Sequence, residues 1–368
     1  MKFLILTEPD DSHAVLVQIA LEKMEHPVRL LFTADHPTLQ KNSIYVDNYD
    51  YQWRSTDRDG TWLDNDYETV WWRRPRMPYL PKDRIHTQDY KFVLRENILF
   101  YEALTYNMAP HAWWINAKEA ANKANSKLLQ LKIASQCGMS IPLTLCSNDP
   151  KDIRYFLLKY EAEGVIYKPL CPGFWFEDNQ TKIAYTSQIT FLELPHNQLL
   201  QLTPGIYQKK ITKKYELRIT CFGNHIVAAK LNSQEHESGL LDWRAIPQGQ
   251  LKVEPYDLPL EIKQKIIEFM RKFGIVFGCF DFIVTPDGEY VFLEVNEQGQ
   301  FLWIEDYNPQ FKMLDIFINF LLNKSENFIW NPNNYKHSIN HYSKEVNEIV
   351  AENLNHHVDL NSANKCKE

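Results

Sequence analysis

The 368-residue chain is long enough for two or three domains with substantial cores. With 44% hydrophobic and 24% charged residues it has the composition of an ordinary soluble globular protein, and a net charge of −7 argues against a general nucleic-acid binder. The six cysteines form no CxxC pair, which excludes the common zinc patterns and fits a reduced interior better than a disulfide scaffold. The opening apolar run Phe3–Leu6 is too short for an export signal. No stretch approaches the ~20 apolar residues of a membrane span, so the expected address is the cytoplasm, with no membrane partner.

Lys2–Thr7 reads as a buried strand, His13–Met24 as a helix and Val28–Thr33 as a strand, a β-α-β opening that favours a parallel sheet. No GxGxxG follows the first strand, so a dinucleotide site has no support. Residues 48–66, rich in Asp, Arg, Tyr and Trp, suit strand edges and loops. The run Val70–Pro78 (VWWRRPRMP) fits equally a peptide- or carboxylate-facing surface and a strand end with aromatic packing and a proline stop. A helix is expected over Lys91–Tyr106, a link over Asn107–Ile115, and a single helix over Asn122–Gln136 ending at Gly138. Strands at 141–146 and 165–170 flank a helix near Lys151–Glu161. A hairpin turns at Gly223-Asn224 within Tyr207–Leu231. Leu260–Phe273 is amphipathic and stops at Gly274, and a last helix spans Phe311–Leu322. Beyond Asn331 the chain turns polar and reads as a weakly ordered tail whose four histidines (His337, His341, His356, His357) are solvated.

The most informative segment is Gly278–Ile304. Pro286-Asp287-Gly288 signals a turn between two β-rich runs. With Asp287-Gly288 as a two-residue loop, counting back sets Asp281 opposite Glu294, at a spacing where like charges destabilise a sheet. Asn296, two residues on, shares the face of Glu294. Two facing carboxylates and an amide oxygen form an all-oxygen cluster that suits Mg²⁺. Lysines supply the counter-charge. Lys168 lies in the apolar run Val165–Leu170, where an unpaired ammonium is costly and a phosphate would compensate it. Lys127 opens a helix, and Lys230 ends the strand-like run Ile226–Lys230.

In order along the chain, Lys127, Lys168, Gln208-Lys209-Lys210-Ile211, Glu216-Leu217-Arg218, Lys230, Asp242-Trp243-Arg244, Asp281 and Glu294-Val295-Asn296 resemble the ATP-grasp superfamily over about residues 110–325. More narrowly, the opening MKFLILT, the WWRRP run at Trp71–Pro75 and the continuation Asn296–Trp303 resemble the peptide-modifying branch that builds graspetides, such as the microviridin ring-forming ligases. The continuation Glu-Gln-Gly-Gln after Asn296 departs from the small-residue run of the ribosomal-protein and amino-acid ligases. The loop Cys171–Thr186 departs too, holding one glycine and the bulky Phe174, Trp175 and Phe176 where many members have a Gly-rich cover over the triphosphate.

The resemblance implies an α/β (α+β) ATP-grasp fold preceded by a βα pre-ATP-grasp domain. The expected division is an N-terminal domain at 1–112, a central subdomain with the phosphate-covering loop at 113–205, a Mg-bearing subdomain at 206–328 and a tail at 329–368. It implies that Lys127 and Lys168 contact ATP phosphates, that residues 208–211 line the adenine pocket, that Glu216 approaches the nucleotide, and that Asp281, Glu294 and Asn296 bind Mg²⁺. It further implies a precursor peptide with a leader segment as partner, and homodimers occur in the family. A side-chain carboxylate of Asp or Glu would attack the γ-phosphate of ATP, and a Thr or Ser hydroxyl or a Lys amine would then attack the acyl phosphate, closing a macrocyclic ester or amide. Arg218 and Arg244, with Lys230, are the cations expected to act in catalysis by gripping carboxylate or phosphoryl oxygens. Two other readings are an amino-acid ligase acting on a protein or small-acid carboxylate, and a nucleotide-binding peptide carrier without turnover.

Overall fold

The computed structural model describes residues 1–63, 66–170, 174–177, 180–183 and 186–360. The side chains of 62–63, 174–177 and 180–183 lie outside that description, and the bulky loop after Lys168 falls largely there. Among the described residues no helix is long and apolar enough to cross a membrane.

The chain opens with a four-stranded parallel sheet in which Phe3–Thr7 lies between Val28–Phe32 and Thr69–Trp72, with Trp113–Ile115 at the edge. The segment 107–115 is therefore more than a link, since its end supplies the fourth strand. Every residue of Phe3–Thr7 and Thr69–Trp72 is buried, the expected state of a parallel strand covered on both faces. The helix Ser12–Glu22, capped by the Asp11 carboxylate at His13 N, covers one face. Residues 41–63 form a separate three-stranded antiparallel sheet.

The expected helix Asn122–Gln136 is two helices, Lys118–Ala124 and Lys127–Gln136, broken at Asn125-Ser126. Asn and Ser compete locally with helical hydrogen bonds and favour caps, and the break starts a new helix at Lys127.

A four-stranded antiparallel sheet follows, ordered 187–189, 165–168, 205–209 and 144–147, with the helix Pro150–Lys159 packed on it. Its core is small: Ile153, Phe156, Leu157, Val165, Leu200 and Tyr207. The last sheet has five antiparallel strands, with Tyr215–Phe222 at its centre between His225–Leu231 and Phe277–Val284. One face packs Leu217, Ile219, Phe280, Phe282 and Phe292 against the helix Leu260–Phe273, which ends at Gly274 in the left-handed conformation. The opposite face is apolar at one end. There Phe222, Phe277, Phe301, Phe317 and Phe320 merge with residues of the parallel sheet and its helix into one continuous core.

Residues 332–360 are ordered, contrary to the expected solvated tail. Ser343–His356 is a helix lying on Ser12–Glu22, with Tyr342 and Val346 in the shared core. Two buried carboxylates fasten the approach. Asp315 accepts from Lys336 N, His337 N and Trp330 Nε1, and Glu305 accepts from Ser338 Oγ and Ile339 N. His357 reaches Asp35 at 2.6 Å, and His337 is buried. Polar composition misled here because the polar groups bond buried partners, while Tyr342, Val346, Ile349 and Val350 keep helical spacing.

Candidate active site

The hairpin Phe277–Val284/Tyr290–Asn296 carries the two acids. Asp281 does face Glu294, as the sequence implies, but by another route. The turn is not a two-residue loop: Val284 pairs with Tyr290, and Thr285–Glu289 closes through Thr285 N to Glu289 O and Gly288 N to Thr285 O. That shifts the register by one, and an irregularity between Asp281 and Phe282 shifts it back. The bulge has a second effect. Phe292 and Val295, three apart, both face the apolar core, while the consecutive Leu293 and Glu294 both line the pocket. An apolar wall and a carboxylate are thereby set side by side.

The pocket lies between this hairpin and the four-stranded sheet. It brings together ten of the residues singled out in the sequence: Lys127, Lys168, Gln208, Lys209, Lys210, Ile211, Glu216, Arg244, Asp281 and Glu294. Strand alternation explains the placement. Ile166 and Lys168 face the pocket while Val165 and Tyr167 face the small core, and Asp281 and Ile283 face it while Phe280 and Phe282 do not.

Electrostatics separate the two acids. Glu294 accepts from Lys127 Nζ at 2.5 Å. Burial would raise its carboxyl, but Lys127, then Lys168 and Arg244, outweigh that and hold it down at about 2. For Asp281 burial wins over the pull of Arg218, and its carboxyl is pushed up. Like charges facing across a hairpin push each other's titration apart. Burial also lowers the Lys168 ammonium and raises the Glu216 carboxyl, which Lys213 contacts at 2.7 Å.

Two of the expected assignments, Lys230 and Arg218, need correction. Lys230 sits directly opposite Leu217, hence on the sheet face away from Glu216 and Arg218. It lies over the Tyr215 ring at 4.9 Å and near Glu254, in a different, shallow cleft. Arg218 is buried behind Asp281, with Nη1 donating to both carboxylate oxygens at 2.8 and 2.9 Å and Nη2 to Gln300 O, so it holds the acid and does not face the pocket. The Lys209 and Lys210 ammonium groups bond Glu163 and Gln188, outside the pocket lining. Asn296 ends its strand, exposed, just beyond the lining residues.

Sequence reasoning missed Lys213, hidden in the charged run Lys209–Lys214, and the lining side chains Ile166, Leu241, Ile283 and Leu293, whose alternation along strands was the available signal. Trp243, named in the sequence only as part of the Asp242–Arg244 motif, stacks on Trp303 at 4.8 Å and 25°. Asp242 accepts from Arg244 N and Nε through Oδ1. Two buried oxygens along the pocket, Gln208 Oε1 and Asp242 Oδ2, have no hydrogen-bond partner among the described residues. A buried acceptor left empty costs ~1–3 kcal/mol, so both suit a donor brought by a ligand.

No family model matches the chain, nor does any curated protein sequence; the likeness lies in solved structures. The macrocyclase MdnC of Microcystis aeruginosa MRC, solved with precursor peptide MdnA, is 31% identical, with a TM-score of 0.76 over 88% of this chain and 100% of that one. A RiPP-associated ATP-grasp ligase of Chryseobacterium gregarium, solved with ADP and a leader and core peptide, is 26% identical, with a TM-score of 0.79 over 88% and 97%. The macrocyclase MdnB of Microcystis aeruginosa MRC is 26% identical, with a TM-score of 0.73 over 87% and 99%. With a facing acid pair, converging lysines and matches along nearly the whole length of these enzymes, the chain belongs to the RiPP-associated ATP-grasp ligases.

Proposed function

We propose that the protein uses ATP and Mg²⁺ to activate Asp or Glu side chains of a ribosomally made precursor peptide and closes them onto Thr, Ser or Lys as macrocyclic esters or amides. One observation carries the reading: a facing carboxylate pair, Asp281 and Glu294, sits in one pocket with the cations Lys127, Lys168 and Arg244. The peptide substrate is proposed from the precursor peptide of the MdnC structure and the leader and core peptide of the Chryseobacterium gregarium structure.

In the first step a peptide carboxylate oxygen bonds to the γ-phosphorus of ATP and the bond to the β-γ bridging oxygen breaks, giving an acyl phosphate and ADP. The acceptor hydroxyl or amine then bonds to the acyl carbon, phosphate leaves, and the acceptor's proton is lost. An anion approaching a triphosphate needs converging positive charge, and Lys168 and Arg244 supply it from separate segments of the pocket lining. Arg244, steadied by Asp242, can grip carboxylate or phosphoryl oxygens bidentately. The apolar side chains Ile166, Ile283 and Leu293 fit a base, and Gln208 Oε1 suits its exocyclic amine. Asp281, Glu294 and Asn296 form a hard, all-oxygen set that fits Mg²⁺, which when bound neutralises charge on the phosphates. Arg218 keeps Asp281 in place for that set. On this reading 113–205 is the covering subdomain and 206–328 the metal-bearing one.

The test is mass spectrometry of a candidate precursor peptide incubated with the protein, ATP and Mg²⁺. Loss of about 18 Da per ring, absent in a Glu294→Gln variant, is the expected result. ADP formed only when free amino acids are added would overturn the peptide substrate. ATP binding without ADP under any condition would overturn turnover itself.

A further inference from the structure

The WWRRP run closes the strand Thr69–Trp72, and Arg73 is 1% exposed. Its guanidinium donates to Asp11 through Nε at 2.9 Å and Nη2 at 3.3 Å, and through Nη1 to the carbonyl of Gln298 at 2.8 Å. Asp11 is fixed in turn by Thr7 Oγ1 at 2.7 Å and by capping the helix Ser12–Glu22. One arginine thus ties the first sheet of the molecule to the last.

Gln298 belongs to the run Glu297–Gln300 that leaves the acid-bearing hairpin directly after Asn296. Side chains from elsewhere grip three of its four carbonyls. Asn116 Nδ2 takes Glu297 O at 2.8 Å, Arg73 takes Gln298 O, and Gln300 O accepts from both Arg218 Nη2 at 2.9 Å and Trp303 Nε1 at 3.0 Å. Gly299 turns the run at φ +62°, where an added Cβ would lie 2.6 Å from the Phe277 ring. Asp281 and Glu294 have side-chain partners of their own, Arg218 and Lys127. The Asn296 side chain makes no hydrogen bond among the described residues, so its place is set by its backbone and by the run that follows.

We propose that Arg73 is a positioning residue for the metal site: from the N-terminal sheet it fixes the run after Asn296, and through that run the setting of Asn296 and Arg218 beside Asp281 and Glu294. The inference rests on the reading that these oxygens hold Mg²⁺. A guanidinium spreads its donors over three nitrogens, so it grips a carboxylate with one edge and reaches a separate carbonyl with another, whereas a lysine offers its donors from a single nitrogen. Arg73→Lys therefore keeps the charge beside Asp11 and gives up the Gln298 carbonyl.

The experiment titrates Mn²⁺ into the full-length protein with ADP, following free Mn²⁺ by electron paramagnetic resonance, alongside thermal melts. Outer partners of metal ligands are worth about 10–100-fold in affinity, and Arg73→Lys is expected to weaken Mn²⁺ binding about tenfold. Arg29→Lys is the control, because Arg29 is a buried arginine of the same sheet, paired with Asp57 at 2.6 Å. It is expected to lower Tm and leave Mn²⁺ affinity unchanged. Asp11→Asn loosens the anchor of Arg73 and is expected to weaken Mn²⁺ binding in the same direction, so it decides the matter if Arg73→Lys does not fold. Unchanged Mn²⁺ affinity in the folded variants, with only Tm lowered, would overturn the proposal. Failure of the unmodified protein to bind Mn²⁺ with ADP would instead overturn the metal assignment itself.

Discussion

The acid wall and the lysine wall of the pocket are built to different standards of rigidity. Asp281 and Glu294 stand on a five-stranded sheet whose one face packs on the helix Leu260–Phe273 and whose other face, at its apolar end, shares a continuous core with the N-terminal sheet. Around them the backbone is fastened by side chains from distant parts of the chain: Gln130 on Val295 N and O, Asn116 on Phe277 and Glu297, and Arg73 on Gln298. Lys168 and Gln208 stand on a smaller sheet with its own small core, and the ion pair of Lys209 with Glu163 lies at the surface. The difference teaches where precision is needed. A cation site depends on oxygen positions within tenths of an ångström, whereas a wall that admits a nucleotide gains from being able to open.

The comparison can be broken by experiments of decreasing size. Phe317→Ala removes a fully buried ring from the shared core and should cost about 3–5 kcal/mol, read as a fall in the global Tm. Phe156→Ala should instead cost amide-exchange protection only within residues 144–209. Global melting in both would deny the two walls their independence. Next, Glu294→Gln should cut peptide-dependent ADP formation by at least about a hundredfold, or ~2.7 kcal/mol, with little change in Tm because its partner Lys127 is partly solvated. Asp281→Asn should cut it as deeply and lower Tm as well, because it leaves the buried Arg218 without a charge partner.

A smaller effect comes from Asp11. Burial would raise its carboxyl, but the Arg73 guanidinium outweighs this and holds it at about 2, below its unfolded value near 3.8. A depressed carboxyl stabilises the fold above the unfolded pKa, so about 2 kcal/mol should be lost as pH falls from ~4 to ~2. Melts across that range should show the loss in the unmodified protein and a flatter profile in Asp11→Asn. Smallest is Lys168→Met, expected to weaken ATP binding about tenfold, or ~1.4 kcal/mol. Its Tm should be unchanged or higher, since burial disfavours that ammonium. A sharp fall in Tm would make Lys168 a structural group.

Much of this was legible in the sequence where a single physical signal dominated. The apolar run of the strand Phe3–Thr7, the stripe of Leu260–Phe273 and the stop at Gly274 each follow one rule. The acid pair was legible for partly mistaken reasons, since a longer turn and a bulge each moved the register by one and cancelled. Turn length and bulges depend on packing that a strand count cannot see. Lys230 failed for a related reason: the face of a strand residue is set by its neighbour, here Leu217, and that pairing is non-local. Arg218 was recognised as important, but only burial showed that it serves Asp281. Gln130, Asn116 and Arg73 were illegible in this role, because what they bind there is backbone N–H and carbonyl, which leaves no trace in residue type.

The clasp formed by residues 330–358 also bears on how the chain comes off the ribosome. The helix Ser12–Glu22 is made early, yet Ser343–His356, which lies against it, follows roughly 320 residues later. Until then part of that apolar helix surface has no cover, and such early exposed surface is what holdase chaperones bind. The closing contact, His357 and Val358 on Asp35, joins segments 322 and 323 positions apart. Contacts of that separation are slow to form, so the segments around Asp35 and His357 should be late to find each other.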